Sequence, residues 1–315
     1  FETSPMAGQA KFGGDADAFL MRLRFCPRPD RPQDLEIEST FLGGKSRDFA
    51  YGIALDGAGN PYVVGRTWSR DFPLGPQFEA LKAGAFDEPG RELVPRYRGG
   101  PAIDGDGPDG FVSAFASDGM LFQSWFVGGD EREWLSGVAV DGSGLTDRRI
   151  YIAGRTESDQ FHPGLPKSPP GDPLNGPGAF VAAGSGFHRL DPTVIPKFHG
   201  GAKDEARAIT LDSDHVYVAG TQIDQATSLD AFILVYPRDP ALNSPLFVAR
   251  LAGSEADTAW GIARDLAGDV YVVGQTGSDD LITDRSKFAG TVQPTLAGRL
   301  DGFLVKLSPR YAPIK

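Results

Sequence analysis

The chain has 315 residues, 41 of them glycine and 25 proline, with 42 acidic against 31 basic side chains and a net charge of −11. That charge argues against a nucleic-acid partner, since an acidic surface repels phosphate backbones, and no apolar run approaches the roughly 18 residues needed to span a bilayer. Cys26 is the only cysteine, which excludes an internal disulfide and a thiolate metal cluster.

The chain opens at Phe1 rather than at a methionine, and the expectation is an exported protein whose leader has been removed. The first element expected is a strand at "DAFLMRL", beginning at Asp17. Phe19, Met21, Leu23 and Phe25 fall on one face of it, and Leu20, Arg22 and Arg24 on the other. A second strand runs through "IESTFLGG" to Gly44. Next comes "YGIALDGAGNPYVVGRT", Tyr51 to Thr67, in which two apolar runs flank a Gly-rich turn. The turn has the composition of a phosphate loop, but a strand follows it. A phosphate loop needs a helix N-terminus to supply free N–H groups and a dipole. The turn therefore reads as a bend in which Asp56 caps and glycine takes positive φ.

From Trp68 to Pro108 the sequence is a long insertion. It mixes Trp68, Phe72, Phe78, Phe86 and Tyr97 with Arg91, Arg96 and Arg98, a composition that suits a protein interface. Its end, "DGDGPDG", places Asp104, Asp106 and Asp109 as a weak calcium candidate; the distal Glu of an EF-hand-type loop is missing. Strands resume at "DGFVSAF" and "LFQSWFVGG", and "FVGGDEREWLSGVAVDGSGLTDRRIYIAGRT" then runs from Phe126 to Thr156. A second insertion covers about 157–177, where six prolines between His162 and Pro177 predict an extended, stiff segment. "FHGGAKDEARAITLDSDHVYVAGTQ" begins at Phe198, and "LAGSEADTAWGIARDLAGDVYVVGQT" runs from Leu251 to Thr276.

These stretches are copies of one another, interleaved with a second recurring motif at Asp17, Asp109, Gly178, Asp230 and Asp301. Repetition at this period means a propeller, a solenoid or an array. Each unit reads as four short strands with almost no helix: a small-residue first strand, Tyr-Val-Val-Gly, Asp-Ala/Gly-Phe, and a strand leading into Gly-Gly. Small residues in the first strand suit the crowded axis of a β-propeller. The pattern "GGxxxDxxYGIAxDxxGNxYVxGxT…DAFxxxL" resembles the SBBP family, the repeat of bacterial β-propeller proteins found mainly in exported and cell-surface chains. The resemblance covers nearly the whole chain in four main copies and implies no catalytic residues. The third copy departs from it, with Gln222 where Thr67, Thr156 and Thr276 stand in the others.

The expected architecture is therefore a single all-β propeller domain over 1–315, with antiparallel four-stranded blades, four or five in number. Its closing blade is incomplete unless the strand from Leu35 to Leu42 completes it. The connection between second and third strands varies from 46 residues (Gly65 to Phe111) to 12 (Gly220 to Phe232), and loops on a rigid scaffold commonly bind.

Residues for chemistry are sparse. Asp48, Glu133, Asp204 and Asp257 recur near the start of each first strand. Paired carboxylates serve glycoside chemistry, but recurrence in every unit favours turn hydrogen bonds. His162, His188, His199 and His215 show no metal-ligand spacing, and no GxSxG elbow is present. The expected function is a non-catalytic, exported structural or docking subunit of a larger protein assembly, without cofactor. A carbohydrate-binding propeller and a glycosidase or lyase are the alternatives.

Overall fold

The computed structural model describes residues 8–25, 35–75, 105–129, 131–142, 149–158, 177–185, 203–223, 229–238, 244–281 and 296–308, with a few shorter pieces. Phe78, Phe86, Arg91, Arg96, Tyr97, Arg98 and Asp104 lie outside the described residues, as do Cys26, His162 and His188. All described secondary structure is β, and among the described residues no helix is long and apolar enough to cross a membrane.

Five antiparallel sheets follow one another along the chain. The first pairs β1 (Ala18–Phe25) with β2 (Leu35–Leu42). The second has the order β3 (Asp48–Leu55), β4 (Pro61–Thr67), β7 (Asp109–Phe115), β8 (Leu121–Val127); β5 (Pro101–Ala102) and β6 (Gly105–Asp106) form a separate short hairpin before β7. The third runs β9 (Glu133–Asp141), β10 (Arg149–Thr156), β11 (Gly178–Ser185), β12 (Lys197–His199). The fourth runs β13 (Glu205–Leu211), β14 (His215–Ile223), β15 (Leu229–Pro237), β16 (Phe247–Leu251). The fifth holds β17 (Asp257–Arg264), β18 (Val270–Thr276) and β19 (Asp301–Leu307).

Each complete sheet is thus four strands laid down in sequence order, as the repeat predicts. The strand from Leu35 to Leu42 does not complete the last sheet. It pairs with β1 through eight registered positions, from Ala18↔Leu42 to Phe25↔Leu35. A local hairpin closes at less entropic cost than a contact across the whole chain, and Arg22–Glu38 and Arg24–Glu36 face each other across it.

The sheets stack face to face, and their first strands succeed one another: β3 lies against β9, β9 against β13, and β13 against β17. Apolar clusters fill the four spaces between neighbouring sheets. The Tyr-Val-Val strands supply both sides of their sheets. Tyr62 and Val64 pack towards the third sheet while Val63 packs towards the first, which explains why this strand is apolar at every position. Phe111, Phe180 and Phe232 occupy the same place in three sheets, wholly buried, each contributing on the order of 2–3 kcal/mol of burial.

The recurring glycine of the second strand has a steric cause. A bulge shifts the register between first and second strands in each of these sheets. Beside it, a methyl group on Gly65, Gly154, Gly220 or Gly274 would sit 1.9, 2.1, 2.2 or 2.1 Å from the carbonyl oxygen of Phe49, Trp134, Glu205 or Thr258. Only glycine fits. The Asp56 turn is also explained: Asp56 Oδ1 accepts from the N–H groups of Ala58 and Asn60, both at 2.9 Å, and Gly59 takes φ +82°. Its carboxylate already occupies the N–H groups that a phosphate would need.

Candidate functional site: an arginine–aromatic ribbon across the inner strands

The first strands begin, and the second strands end, at one edge of the stack. There the repeat places two variable positions, one and three residues after the recurring carboxylate: Phe49 and Tyr51, Trp134 and Ser136, Glu205 and Arg207, Thr258 and Trp260. The first of each pair is in register with the second strand, opposite Arg66, Arg155, Thr221 or Gln275, and the second is the extra residue of the bulge, left out of the ladder where a bulge re-aims its side chain. The second strands add Arg66 and Arg155 at a matching position.

These side chains form a continuous ribbon. The Arg47 guanidinium lies 4.9 Å from the ring centre of Trp68, and Arg66 stacks on the other residues around it: 4.9 Å from Trp68, 5.5 Å from Phe49 and 5.5 Å from Tyr51. Arg66 also reaches Trp134 of the next sheet at 5.9 Å, and Arg155 lies 4.9 Å from that ring. The Ser136 hydroxyl donates to Glu205 at 3.0 Å, Glu205 pairs with Arg207 at 2.9 Å, and Arg207 lies 4.1 Å from the Trp260 ring. The ribbon therefore runs from the second sheet to the fifth. Each stacked cation contributes roughly 0.5–1 kcal/mol at such an exposed site. Arg155 is further held by Glu157 at 2.8 Å. Tyr51 and Trp260 remain 47% and 55% exposed. An open cleft of about 580 Å³ adjoins Arg47 and Trp68, lined also by Asp15, Lys45, Arg70 and Asp71. Rigid, solvent-facing Trp, Tyr and Arg are the side chains that dominate protein interfaces energetically.

The recurring carboxylates lie behind this ribbon and have a different role. Asp48, Glu133, Asp204 and Asp257 are all buried. Asp48 accepts from the hydroxyls of Thr67 and Ser69 and from the Gly44 N–H. Glu133 repeats this with Thr156, Ser158 and Gly129, and Asp257 with Thr276, Ser278 and Gly253. Since the glycine belongs to the loop after the preceding sheet, each carboxylate latches two consecutive sheets. The third copy, with Gln222, uses backbone instead: Asp204 accepts from the N–H groups of Gly201 and Ile223, both at 2.8 Å. Burial pushes the carboxyls of Asp48 and Asp257 above the usual range, opposed by the Thr, Gly and Ser donors. Substrate has no access to these groups.

The interface residues expected in the first insertion divide. Trp68 belongs to the ribbon. Phe72 is buried, its ring 4.5 Å from Phe111 and 6.2 Å from Phe126; it is a correction to the reading of that segment, because the insertion's first turn folds back onto its own sheet. Of the calcium candidates, Asp106 lies on β6 and Asp109 is buried at the start of β7; a methyl group on Gly128 would meet both Asp109 Oδ1 and Glu133 Oε2. Among the described residues no three His, Cys, Asp or Glu side chains form a group able to hold a metal ion. His215 approaches Asp212 at 3.3 Å, and His199 lies on β12.

Arg66, Trp134, Arg207 and Trp260 were missed by motif reasoning, which follows what repeats. For Trp134, Arg207 and Trp260 the signal lies in what does not repeat: large or charged residues at the two positions of the first strand that change from copy to copy while their neighbours stay the same; Arg66 stands on the second strand, opposite the first of those positions.

The model of the SBBP beta-propeller repeat matches the chain at two places, residues 39–73 and 246–282. No curated protein matches the chain.

Proposed function

With the SBBP repeat at two places in the chain, we propose that it forms a β-propeller module, its five sheets serving as blades, that acts without catalysis as a docking subunit of a larger, extracytoplasmic protein assembly. The observation that carries this reading is the ribbon of stacked arginine and aromatic side chains across the inner strands. Successive first strands lying against one another support the propeller, since they occupy its axis. The ribbon then sits at one mouth of that axis, where a partner meets several blades at once. The carboxylates that glycoside chemistry would need are instead consumed in buried latches, which favours binding over hydrolysis. The acidic balance of the chain favours a protein partner over nucleic acid.

The test compares what co-purifies from the native source with the wild-type chain and with the double variant Arg66→Ala, Trp260→Ala. A partner retained by the wild type and lost by the variant supports docking through the ribbon. A stable free wild-type chain with no partner sinks it. The exposed rings of Tyr51 and Trp260 also suit a sugar face, so a glycan array is the second measurement; ribbon-dependent glycan binding would replace the protein-docking reading.

A further inference from the structure

The cleft beside Arg47 and Trp68 is built on a loop frame that the repeat furnishes elsewhere with different side chains. The Ser46 N–H donates to the Ser69 hydroxyl oxygen at 2.9 Å, as that of Glu131 does to Ser158 at 2.8 Å and that of Glu255 to Ser278 at 2.9 Å. The Lys45 N–H donates to Asp71 at 3.0 Å, as that of Ser254 does to Asp280 at 2.7 Å. On this shared frame the second sheet presents Lys45, Arg47, Trp68 and Arg70 where the fifth presents Ser254, Ala256, Gly277 and Asp279. The fifth-sheet loops close with no cation or ring at these places, so the fold does not require them at the cleft. Lys45, Arg47 and Arg70 are exposed. They share the cleft with Asp15 and Asp71, in a chain whose net charge is −11.

The charges here are also poorly compensated. The Arg47 and Arg66 guanidiniums each lie 4.9 Å from the Trp68 ring centre. Among the described residues neither pairs with a carboxylate, whereas Arg155 has Glu157 and Arg207 has Glu205 farther along the ribbon. Lys45 meets Asp71 at 3.6 Å with its side chain 85% exposed. A guanidinium held over a ring keeps its N–H fork for a carboxylate, and the ring fixes it before any ligand arrives. An acid entering here also offsets the repulsion between two like charges on one ring. We infer that the cleft binds an acidic segment of a protein partner, one glutamate or aspartate meeting Arg47 and its neighbours meeting Lys45 and Arg70. The cleft's volume, about 580 Å³, lies in the range of small-ligand sites and suits a few inserted side chains. Recognition of acidic motifs by arginine clusters is a recurring mode of peptide binding. Continuity with the ribbon favours a peptide over a free anion, since one partner can lie along both. The inference rests on the docking reading and deepens it, naming what the partner presents at the second-sheet end.

The probe is a short fluorescein-labelled peptide of alternating Glu and Gly, with Gln in place of Glu as the control, followed by fluorescence anisotropy at neutral pH and low salt. The full chain is expected to bind the acidic probe saturably, more weakly as salt rises, and to leave the Gln probe free. Arg47→Ala with Arg70→Ala is expected to weaken binding by about tenfold or more. Arg24→Ala with Lys306→Ala removes two exposed cations elsewhere on the surface and is expected to bind as the wild type does. Circular dichroism checks that both variants fold. A wild type that does not bind the probe, or an equal loss in the two double variants, would overturn the inference. Tighter binding of an oligogalacturonate than of the peptide would overturn it too, assigning the cleft to an acidic glycan. The docking reading fails separately. A native partner lost with Arg66→Ala, Trp260→Ala but kept by Arg47→Ala, Arg70→Ala would overturn the acidic contact and leave docking in place. A wild type that binds the probe yet brings down no partner sinks docking and leaves the cleft an acid-binding site.

Discussion

Replacing Thr67 with valine tests the buried latch with almost no change of shape. The Thr67 hydroxyl donates to Asp48 and accepts from the Ser69 N–H at 2.8 Å. Valine does neither. Losing a hydrogen bond to a charged group costs about 1.5–3 kcal/mol, and losing a neutral one about 0.5–1.5 kcal/mol. Asp48 keeps the Ser69 hydroxyl and the Gly44 N–H, both at 2.8 Å, so it is weakened rather than stranded. The added methyl returns up to about 0.8 kcal/mol. The expected net loss is about 2–3 kcal/mol at neutral pH, read as a lower urea midpoint at unchanged slope. The loss should shrink in acid, because a protonated Asp48 no longer needs charge-assisted donors. A loss below about 0.5 kcal/mol, within the range of an ordinary surface change, would refute the latch. So would a loss that is the same in acid as at neutrality.

Three further outcomes are expected. Gly65→Ala should destabilise the chain by at least about 2 kcal/mol, since the new methyl meets both the Phe49 carbonyl and the Phe111 ring; a melting temperature equal to the wild type's would refute the close approach. Gly43→Ala should also destabilise, because its methyl would sit 2.7 Å from atoms of both Asp17 and Asp48, and thermal melting checks it. Because burial raises the folded-state pKa of Asp48 and Asp257 above the ordinary 3.8, their contribution is fully present below that value and is lost as pH rises through the folded pKa. Urea midpoints of the wild type should therefore rise relative to those of Asp48→Asn, Asp257→Asn towards acid, and a pH-independent gap would contradict this. Asp212 works in the opposite sense, its pKa held down by Tyr217 and by the N–H groups of Asp214 and His215.

Much of the fold was legible because the repeat restates each local rule several times. The strand order, the Asp56 turn and the structural use of Asp48, Glu133 and Asp257 all follow from residues recurring at fixed offsets. Phe72 was misread because aromatic composition does not say which way an insertion folds, and its burial depends on Phe111 and Phe126, distant in sequence. The pairing of β2 stayed open in the sequence because strand composition is the same whether a fourth strand serves its own hairpin or another sheet. The ribbon escaped because Arg66 and Trp134 meet across two sheets, and only the stacking of one unit on the next creates that contact.

The latch has a consequence for how such a chain can change its length. Its carboxylate, hydroxyls and glycine straddle the junction between units, so what each copy specifies is a joint as well as a sheet. A duplicated stretch running from one Gly-Gly to the next brings a complete joint with it, and so does a deletion between the same points. Growth or loss by whole copies leaves every remaining carboxylate satisfied, whereas a break between a carboxylate such as Asp48 and its donors Gly44, Thr67 and Ser69 leaves it buried without them. The third copy shows the tolerance of the scheme: where the threonine is lost, two backbone N–H groups at 2.8 Å hold Asp204, and the copy keeps its place in the array.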